Sequence, residues 1–209
     1  MNIIIADDHA LIRKGLKQIL LEEFPSARVD ECRDAEELIK KSLHDHWDVV
    51  VCDLLMPGKT GLDVVQHMKQ HAPRTPVLVL SMYPEEQYAI RALKTGAAGY
   101  LSKDSAPEEL VRAVHRVLMG RKYISPSLAD KLVNELDQES SPKPAHELLT
   151  HREFGIFQLL AAGKSISAIA DQLSISASTV STYRAKILTK MNLGSNADLT
   201  RYALENKLI

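Results

Sequence analysis

The 209-residue chain is 45% hydrophobic and 25% charged with a net charge of −1, the make-up of an ordinary globular protein with one large domain or two small ones. No stretch approaches the roughly 18 apolar residues of a membrane span, and the apolar N-terminal run meets Asp7 and Asp8 too soon for a secretory signal. The near-zero charge argues against a general nucleic-acid coat, and Cys32 and Cys52 read as buried free thiols of a reducing compartment, so a cytoplasmic location is expected.

Asn2–Ala6, Asp48–Cys52 and Pro76–Leu80 are short, nearly continuous aliphatic runs, the pattern of strands buried on both faces of a parallel sheet. Weaker strands are expected near Arg28–Cys32 and Ala98–Leu101. Apolar residues spaced by three and four mark helices between them. Leu11, Leu16, Ile19 and Leu20 belong to one, and Leu62, Val65 and Met68 to another. Ala89, Ile90 and Leu93 mark a third, and Leu110, Val114, Val117 and Leu118 a fourth. Gly96 is placed to stop a helix, and Ser105 to Glu108 reads as a capping box opening the next. Five strands alternating strictly with five helices predict a doubly wound α/β domain over residues 1–123. His67 and His71 lie one helical turn apart, but Met-Lys-Gln between them lacks the Glu of a zinc protease motif, so they read as a solvated helix face.

Residues 124–148 are predicted to connect two domains, with a helix over Ile124–Leu136 followed by the polar, Pro/Ser-rich run Asp137–Ala145. From Leu149 the strand pattern vanishes. Thr150 to Glu153 is a capping box before Phe154, Ile156, Phe157, Leu159 and Leu160, and Gly163 closes that helix. Ser165 caps a short helix containing Ile169, Ala170 and Leu173, and Ser176 caps a longer one with Val180, Ile187 and Met191 along one side. A last helix is expected from about Asn196 to Leu204. Residues 149–209 therefore form a small all-α domain of four helices, carrying seven Lys/Arg against four Asp/Glu.

Polar residues end the predicted strands. Asp7 and Asp8 follow the first, Asp53 ends the third, Ser81 ends the fourth and Lys103 follows the fifth. In an open parallel sheet these ends share one rim, where ligands bind. A single Asp at a strand end is as often a helix cap or turn former, but five suitable residues at strand ends are poorly explained as caps. Carboxylates this close need a cation, and Mg²⁺ with its oxygen ligands is the natural one.

Asp7-Asp8-His9, the run Val49 to Gly58, Ser81, Gly96 to Tyr100 and Lys103-Asp104 resemble a bacterial two-component receiver domain of flavodoxin-like fold, in order over residues 1 to about 120. The resemblance implies that Asp53 accepts a phosphoryl group from a phosphohistidine on a sensor histidine kinase. It implies that Asp8, Asp53 and the Leu55 carbonyl hold Mg²⁺ directly, with Asp7 acting through water. Lys103 would pair with one phosphoryl oxygen and Ser81 hydrogen-bond another. Ser81 moving toward the phosphoryl group would leave space for Tyr100 to enter from outside. Met82 departs from the small residue usual after Ser81, so slow reaction with small phosphodonors and slow self-hydrolysis are expected.

The segment Ser165 to Met191 has a short helix, a tight turn and a longer helix, the arrangement that places a recognition helix in the major groove. Leu149 to Leu208 resembles the LuxR/NarL-type helix-turn-helix output domain through Thr150 and Glu153, Ile169-Ala170, Ser176, Thr179-Val180, Ile187 and Lys190-Met191. The expected DNA-facing residues are Ser178, Thr179, Ser181, Thr182, Ala185 and Thr189, flanked by Arg184, Lys186 and Lys190. Tyr183 stands where the family commonly has His, and the face is small and neutral, so dimerisation and DNA shape are expected to supply much of the selectivity.

The resulting expectation is a response regulator that binds double-stranded promoter DNA, dimerises when phosphorylated and can meet RNA polymerase, with no membrane partner. By resemblance the last helix is the dimer contact, and its apolar Leu199, Tyr202 and Ala203 permit it. Two rivals have different consequences. An adaptor whose helical domain binds protein would not select duplexes, and an enzyme with an aspartyl-phosphate intermediate would turn over a small substrate. Leu54-Leu55 after Asp53 lacks the second Asp of haloacid-dehalogenase-type phosphatases, which argues against the enzyme.

Overall fold

The aliphatic runs form β1 (Asn2–Ala6), β2 (Arg28–Cys32), β3 (Val49–Asp53), β4 (Val77–Ser81) and β5 (Gly99–Ser102). All pair in parallel, in the order β2-β1-β3-β4-β5. The computed structural model describes residues 1–83, 85–125, 128–129 and 144–209. It divides into two units, Met1–Glu139 and Ser140–Ile209.

The first unit carries α1 (Ala10–Glu23), α2 (Ala35–Ser42), α3 (Gly61–His71), α4 (Glu85–Thr95) and α5 (Ala106–Leu118). Side chains alternate across a strand, so both faces of an aliphatic run must be covered. Ile3, Ile5, Val49, Val51, Leu78 and Leu80 pack with Leu16 and Leu20 of α1 and Leu110 and Val114 of α5. Ile4, Val50, Cys52 and Val79 alternate to the other face, and α2, α3 and α4 lie side by side. Each such side chain removed from water contributes about 1.5–3 kcal/mol.

Two details of the periodic reading change. Leu11 is 84% exposed, because it lies about 140° around the helix from Leu16 and faces away from the sheet. Ser105 does not make the expected capping box. Its backbone is already helical (φ −91°, ψ −10°), and its hydroxyl donates instead to the Ser102 carbonyl at 3.2 Å and Glu109 Oε2 at 3.2 Å. Gly96 and Gly163 do close their helices. The helix expected over Ile124–Leu136 and the linker Asp137–Ala145 lie mostly outside the described residues, though Leu128 and Ala129 are helical and Ala145–Leu148 forms a 3-10 turn.

The second unit has α6 (His151–Ala161), α7 (Ile166–Gln172), α8 (Ala177–Met191) and α9 (Asn196–Glu205). Thr150, Ser165, Ser176 and Ser195 each cap a helix by accepting the backbone N–H three residues on. Phe154, Phe157, Ile169, Val180, Ile187 and Leu199 close one core between them.

The position of Asp53 depends on a close approach. Thr60 and Asp63 form a reciprocal capping box that starts α3 immediately under the loop following β3. Gly61 donates to the Leu54 carbonyl at 2.9 Å, and a Cβ on Gly61 would lie 2.2 Å from the Asp53 carbonyl oxygen. Gly61→Ala is therefore expected to push α3 from the end of β3 and destabilise the first unit by about 1–3 kcal/mol, of the order of other overpacking changes. Urea unfolding midpoints of the two proteins check this.

Candidate functional site

The parallel sheet brings the strand-end residues together as the sequence predicts. Asp7 follows β1 and is fully buried, Asp53 ends β3 at 4% exposure, and Ser81 ends β4 at 1%. Lys103 arrives from the end of β5, held by its backbone N–H donating to the Ser81 carbonyl at 2.8 Å. Its side chain is 4% exposed, with Nζ 2.8 Å from Asp53 Oδ2 and 2.7 Å from Asp7 Oδ2. The first contact is a directed hydrogen bond and the second an ion pair at similar distance. Asp8 stands at the exposed mouth.

One ammonium thus serves two buried carboxylates. Burial pushes the Asp53 carboxyl up to about 6, with Asp7 adding to the rise and Lys103 opposing it. Burial pulls Lys103 down, but Asp53 and Asp7 together pull it up further, so it stays charged. The carboxylate oxygens of Asp7, Asp8 and Asp53 lie with a His9 ring nitrogen within 4.8 Å of one another. Hard oxygen donors so placed, two of them buried and sharing one ammonium, fit a small divalent cation.

His9 is the member the sequence reading passed over. Its backbone N–H donates to Asp7 Oδ1 at 2.8 Å, and Nδ1 lies 2.8 Å from Asp8 Oδ1 and 3.1 Å from Asp7 Oδ1. The signal was only its adjacency to the two aspartates. Leu55 sits beside the site, its N–H 3.4 Å from Asp53 Oδ1. Met82 is 61% exposed. Tyr100 was expected to enter from outside, yet it lies inside already, 1% exposed, with its hydroxyl donating to the Tyr83 carbonyl at 2.9 Å. Tyr83 in turn donates its N–H to Ser81 Oγ at 3.0 Å.

In the second unit the expected DNA face is the outer side of α8. Ser178, Ser181, Thr182, Ala185, Lys186 and Thr189 are exposed, while Val180, Ile187 and Met191 are buried. Ser181, Thr182 and Thr189 donate their hydroxyls to the carbonyls four residues back. Thr179 is half-buried and bonded to the cap Ser176. Two of the three flanking cations are engaged within the unit. Lys190 Nζ lies 2.6 Å from Glu153 Oε2, the carboxylate that also closes the α6 capping box, and Arg184 Nε donates to Asn196 Oδ1 at 2.6 Å. The apolar residues expected to make a dimer contact on α9 are used otherwise. Leu199 and Ala203 are fully buried in the unit's own core, and the Tyr202 hydroxyl lies 3.0 Å from His146 Nδ1. The outer side of α9 carries Ala197, Arg201 and Leu204.

A phosphoacceptor-like acidic pocket on a five-stranded parallel sheet, followed by a helix-turn-helix unit, defines a class of switched regulators. The model of the response regulator receiver domain matches residues 3–115, and that of the bacterial regulatory proteins of the luxR family matches residues 147–203. The chain belongs to the response regulators with a LuxR-type DNA-binding domain, a family of transcription regulators rather than enzymes. It is 38% identical over 216 residues to the oxygen regulatory protein NreC of Staphylococcus epidermidis, covering all of this chain and 99% of that one. With NreC of Staphylococcus carnosus the identity is 37% over 216 residues, at the same coverage. Among solved structures, RcsB from Salmonella enterica serovar Typhimurium, bound to promoter rprA in the presence of the phosphomimetic BeF3-, matches with a TM-score of 0.61 and 25% identity over 97% of this chain and 98% of that one.

The raised Asp53 pKa destabilises the folded state as pH rises. A folded-state value near 6 against an unfolded carboxylate near 4 means that the folded chain holds the extra proton between these limits, so Asp53 makes the fold less stable as pH rises through that window. In chelator, Asp53→Asn is expected to stabilise the first unit by about 1–2 kcal/mol at pH 7, the gain shrinking toward pH 4. Urea unfolding of both proteins across that range measures it.

Proposed function

We propose that Asp53 is the phosphoacceptor through which a sensor histidine kinase controls this regulator. The observation that carries this reading is the buried Asp53 carboxylate, hydrogen-bonded to Lys103 at 2.8 Å beside Asp7 and Asp8. An Asp53 carboxylate oxygen attacks phosphorus, the bond from phosphorus to the kinase imidazole breaks, and the imidazole leaves. Lys103 then pairs with a phosphoryl oxygen in place of the charge that Asp53 has given up, while the Ser81 hydroxyl bonds another. Asp8, Asp53 and the Leu55 carbonyl, with Asp7 beside them, would hold Mg²⁺. Bound there, the ion supplies charge neutralisation on the transferring phosphoryl group.

In this reading residues 1–123 are the receiver, 124–148 the connection and 149–209 the output domain. Phosphorylation favours a homodimer, which sets two output domains on paired half-sites of promoter DNA, with RNA polymerase as a further partner. Residues Ser178, Thr179, Ser181, Thr182 and Ala185 face the groove. A dimer contact through α9 uses Ala197, Arg201 and Leu204, since Leu199 and Ala203 are committed to the core. Two buried free thiols, Cys32 and Cys52, support a reducing compartment and hence the cytoplasm. Among the described residues no helix is long and apolar enough to cross a membrane.

The internal pairings separate the cations of α8. Lys186→Ala is expected to weaken duplex binding about three- to tenfold and lower the salt slope by about one, as loss of one phosphate contact does. Lys190→Ala removes the partner of the nearly buried Glu153, so it should lower the stability of the second unit by about 1–2 kcal/mol. Salt titrations of binding and urea unfolding distinguish the two effects.

The central test is selection of bound duplexes from fragmented genomic DNA with and without Mg²⁺ and beryllofluoride, for wild type and Asp53→Asn. Enrichment of a paired-half-site sequence that beryllofluoride strengthens in wild type alone is the expected result. No enrichment under any condition would reassign the helical unit to protein partners.

A further inference from the structure

The chain does not leave the first unit at the end of α5. Tyr123 runs back along the open edge of β5, donating its N–H to the Ala98 carbonyl at 2.8 Å and forming a parallel bridge with Gly99. Its side chain is 8% exposed and belongs to the core beneath α5. Contact is so close that a Cβ on Gly99 would lie 2.9 Å from Tyr123 Cβ and 3.0 Å from its carbonyl oxygen. A side chain at Gly99 would lift this segment off the sheet.

Two residues on, the segment is fastened a second time. Ser125, 8% exposed, donates its hydroxyl to Glu85 Oε2 at 2.6 Å, and Glu85 is the first residue of α4. The same hydroxyl accepts the Leu128 N–H at 3.2 Å, while the Ser125 carbonyl accepts from Ala129 at 3.0 Å. These are the bonds of a helix N-cap, and Leu128 is 1% exposed. One serine therefore joins the start of α4 to the first turn of the connection between the domains.

The start of α4 is also where the acidic site makes contact. Ser81 Oγ accepts from Tyr83, the Tyr83 carbonyl accepts from Tyr100, and the Tyr83 ring packs on Tyr88 of α4 at 5.2 Å. We infer that Arg121–Ser125 is a strap that reports the state of the Asp53 site to the interdomain connection, with Ser125 as the positioning residue between Glu85 and Leu128. The inference rests on the proposed phosphorylation of Asp53. When the Ser81 hydroxyl turns to a phosphoryl oxygen it releases the Tyr83 N–H, the loop into α4 resettles, and Glu85 carries Ser125 with it. The coupling is local: hydrogen bonds join Ser81 and Tyr100 to the Tyr83 backbone, the Tyr83 ring packs on Tyr88 of α4, and a hydrogen bond joins Glu85 of the same helix to Ser125. Phosphorylation then resets the first turn of the connection directly, in addition to any change in how two receivers associate.

The test uses the full chain with Mg²⁺ and beryllofluoride. Fluorine NMR reports whether the mimic is bound, and hydrogen exchange at the Tyr123 and Leu128 amides reports the strap. In wild type, bound beryllofluoride is expected to change exchange at Leu128 about fivefold or more. In Ser125→Ala the mimic still binds, but the change at Leu128 falls to within about twofold. Glu85→Ala breaks the same bond from the other side and keeps the Ser125 cap, so it should reproduce the loss. Unchanged Leu128 exchange in wild type with the mimic bound, or a full response in both variants, overturns the strap. Absence of any bound fluoride signal overturns the phosphoacceptor reading instead, and the strap with it.

Discussion

The ammonium of Lys103, held against two buried carboxylates, is the interaction on which the receiver unit turns. Asp7 and Asp53 are carried to the same edge because β1 and β3 run parallel and end together. Removing two carboxylates from water is costly, and a single ammonium from β5 offsets only part of that. The site is therefore deficient in positive charge by construction. Burial above all, with the neighbouring Asp7 charge, raises the Asp53 pKa, and two carboxylates sharing one ammonium make a divalent cation a fitting neighbour.

The rest of the unit serves this placement. β1, β3 and β4 are aliphatic on both faces up to Asp7, Asp53 and Ser81, so a slip would draw a polar end group into the covered part of the sheet. Gly61 lets α3 press against the Asp53 carbonyl, which fixes the loop that leaves the site. Away from the rim, Ser81, Tyr83 and Tyr100 form a hydrogen-bonded series, the Tyr83 ring packs on Tyr88 of α4, and Glu85 at the start of that helix bonds Ser125.

The output unit uses charge sparingly. Glu153 caps α6 and anchors Lys190 at the far end of α8, and Arg184 is bonded to Asn196 at the start of α9. Both pairings turn a cation of α8 toward a partner within the unit. What remains outward is mostly hydroxyls and methyls with Lys186, a surface suited to close approach.

Local chemistry decided much of this chain. Runs such as Val49–Cys52, short and β-branched, fit strands of a covered sheet, Thr150 with Glu153 fits a capping box, and polar residues at strand ends share a rim if the strands are parallel. These follow from neighbours in sequence or from a single periodicity, so they were legible without coordinates. Tertiary structure decided whatever depends on which distant group arrives first. Leu11 faces out and Leu199 and Ala203 face in, although all three lie in comparable helical patterns, because only packing says which side of a helix is covered. Ser105 abandoned its cap because Ser102 and Glu109 offered its hydroxyl other partners. The inward Tyr100, the His9 contacts, the pairing of Lys190 with Glu153 and the one-residue bridge of Tyr123 to Gly99 are likewise contacts between separate elements or isolated pairs. A sequence pattern records repetition along the chain, and none of these contacts repeats.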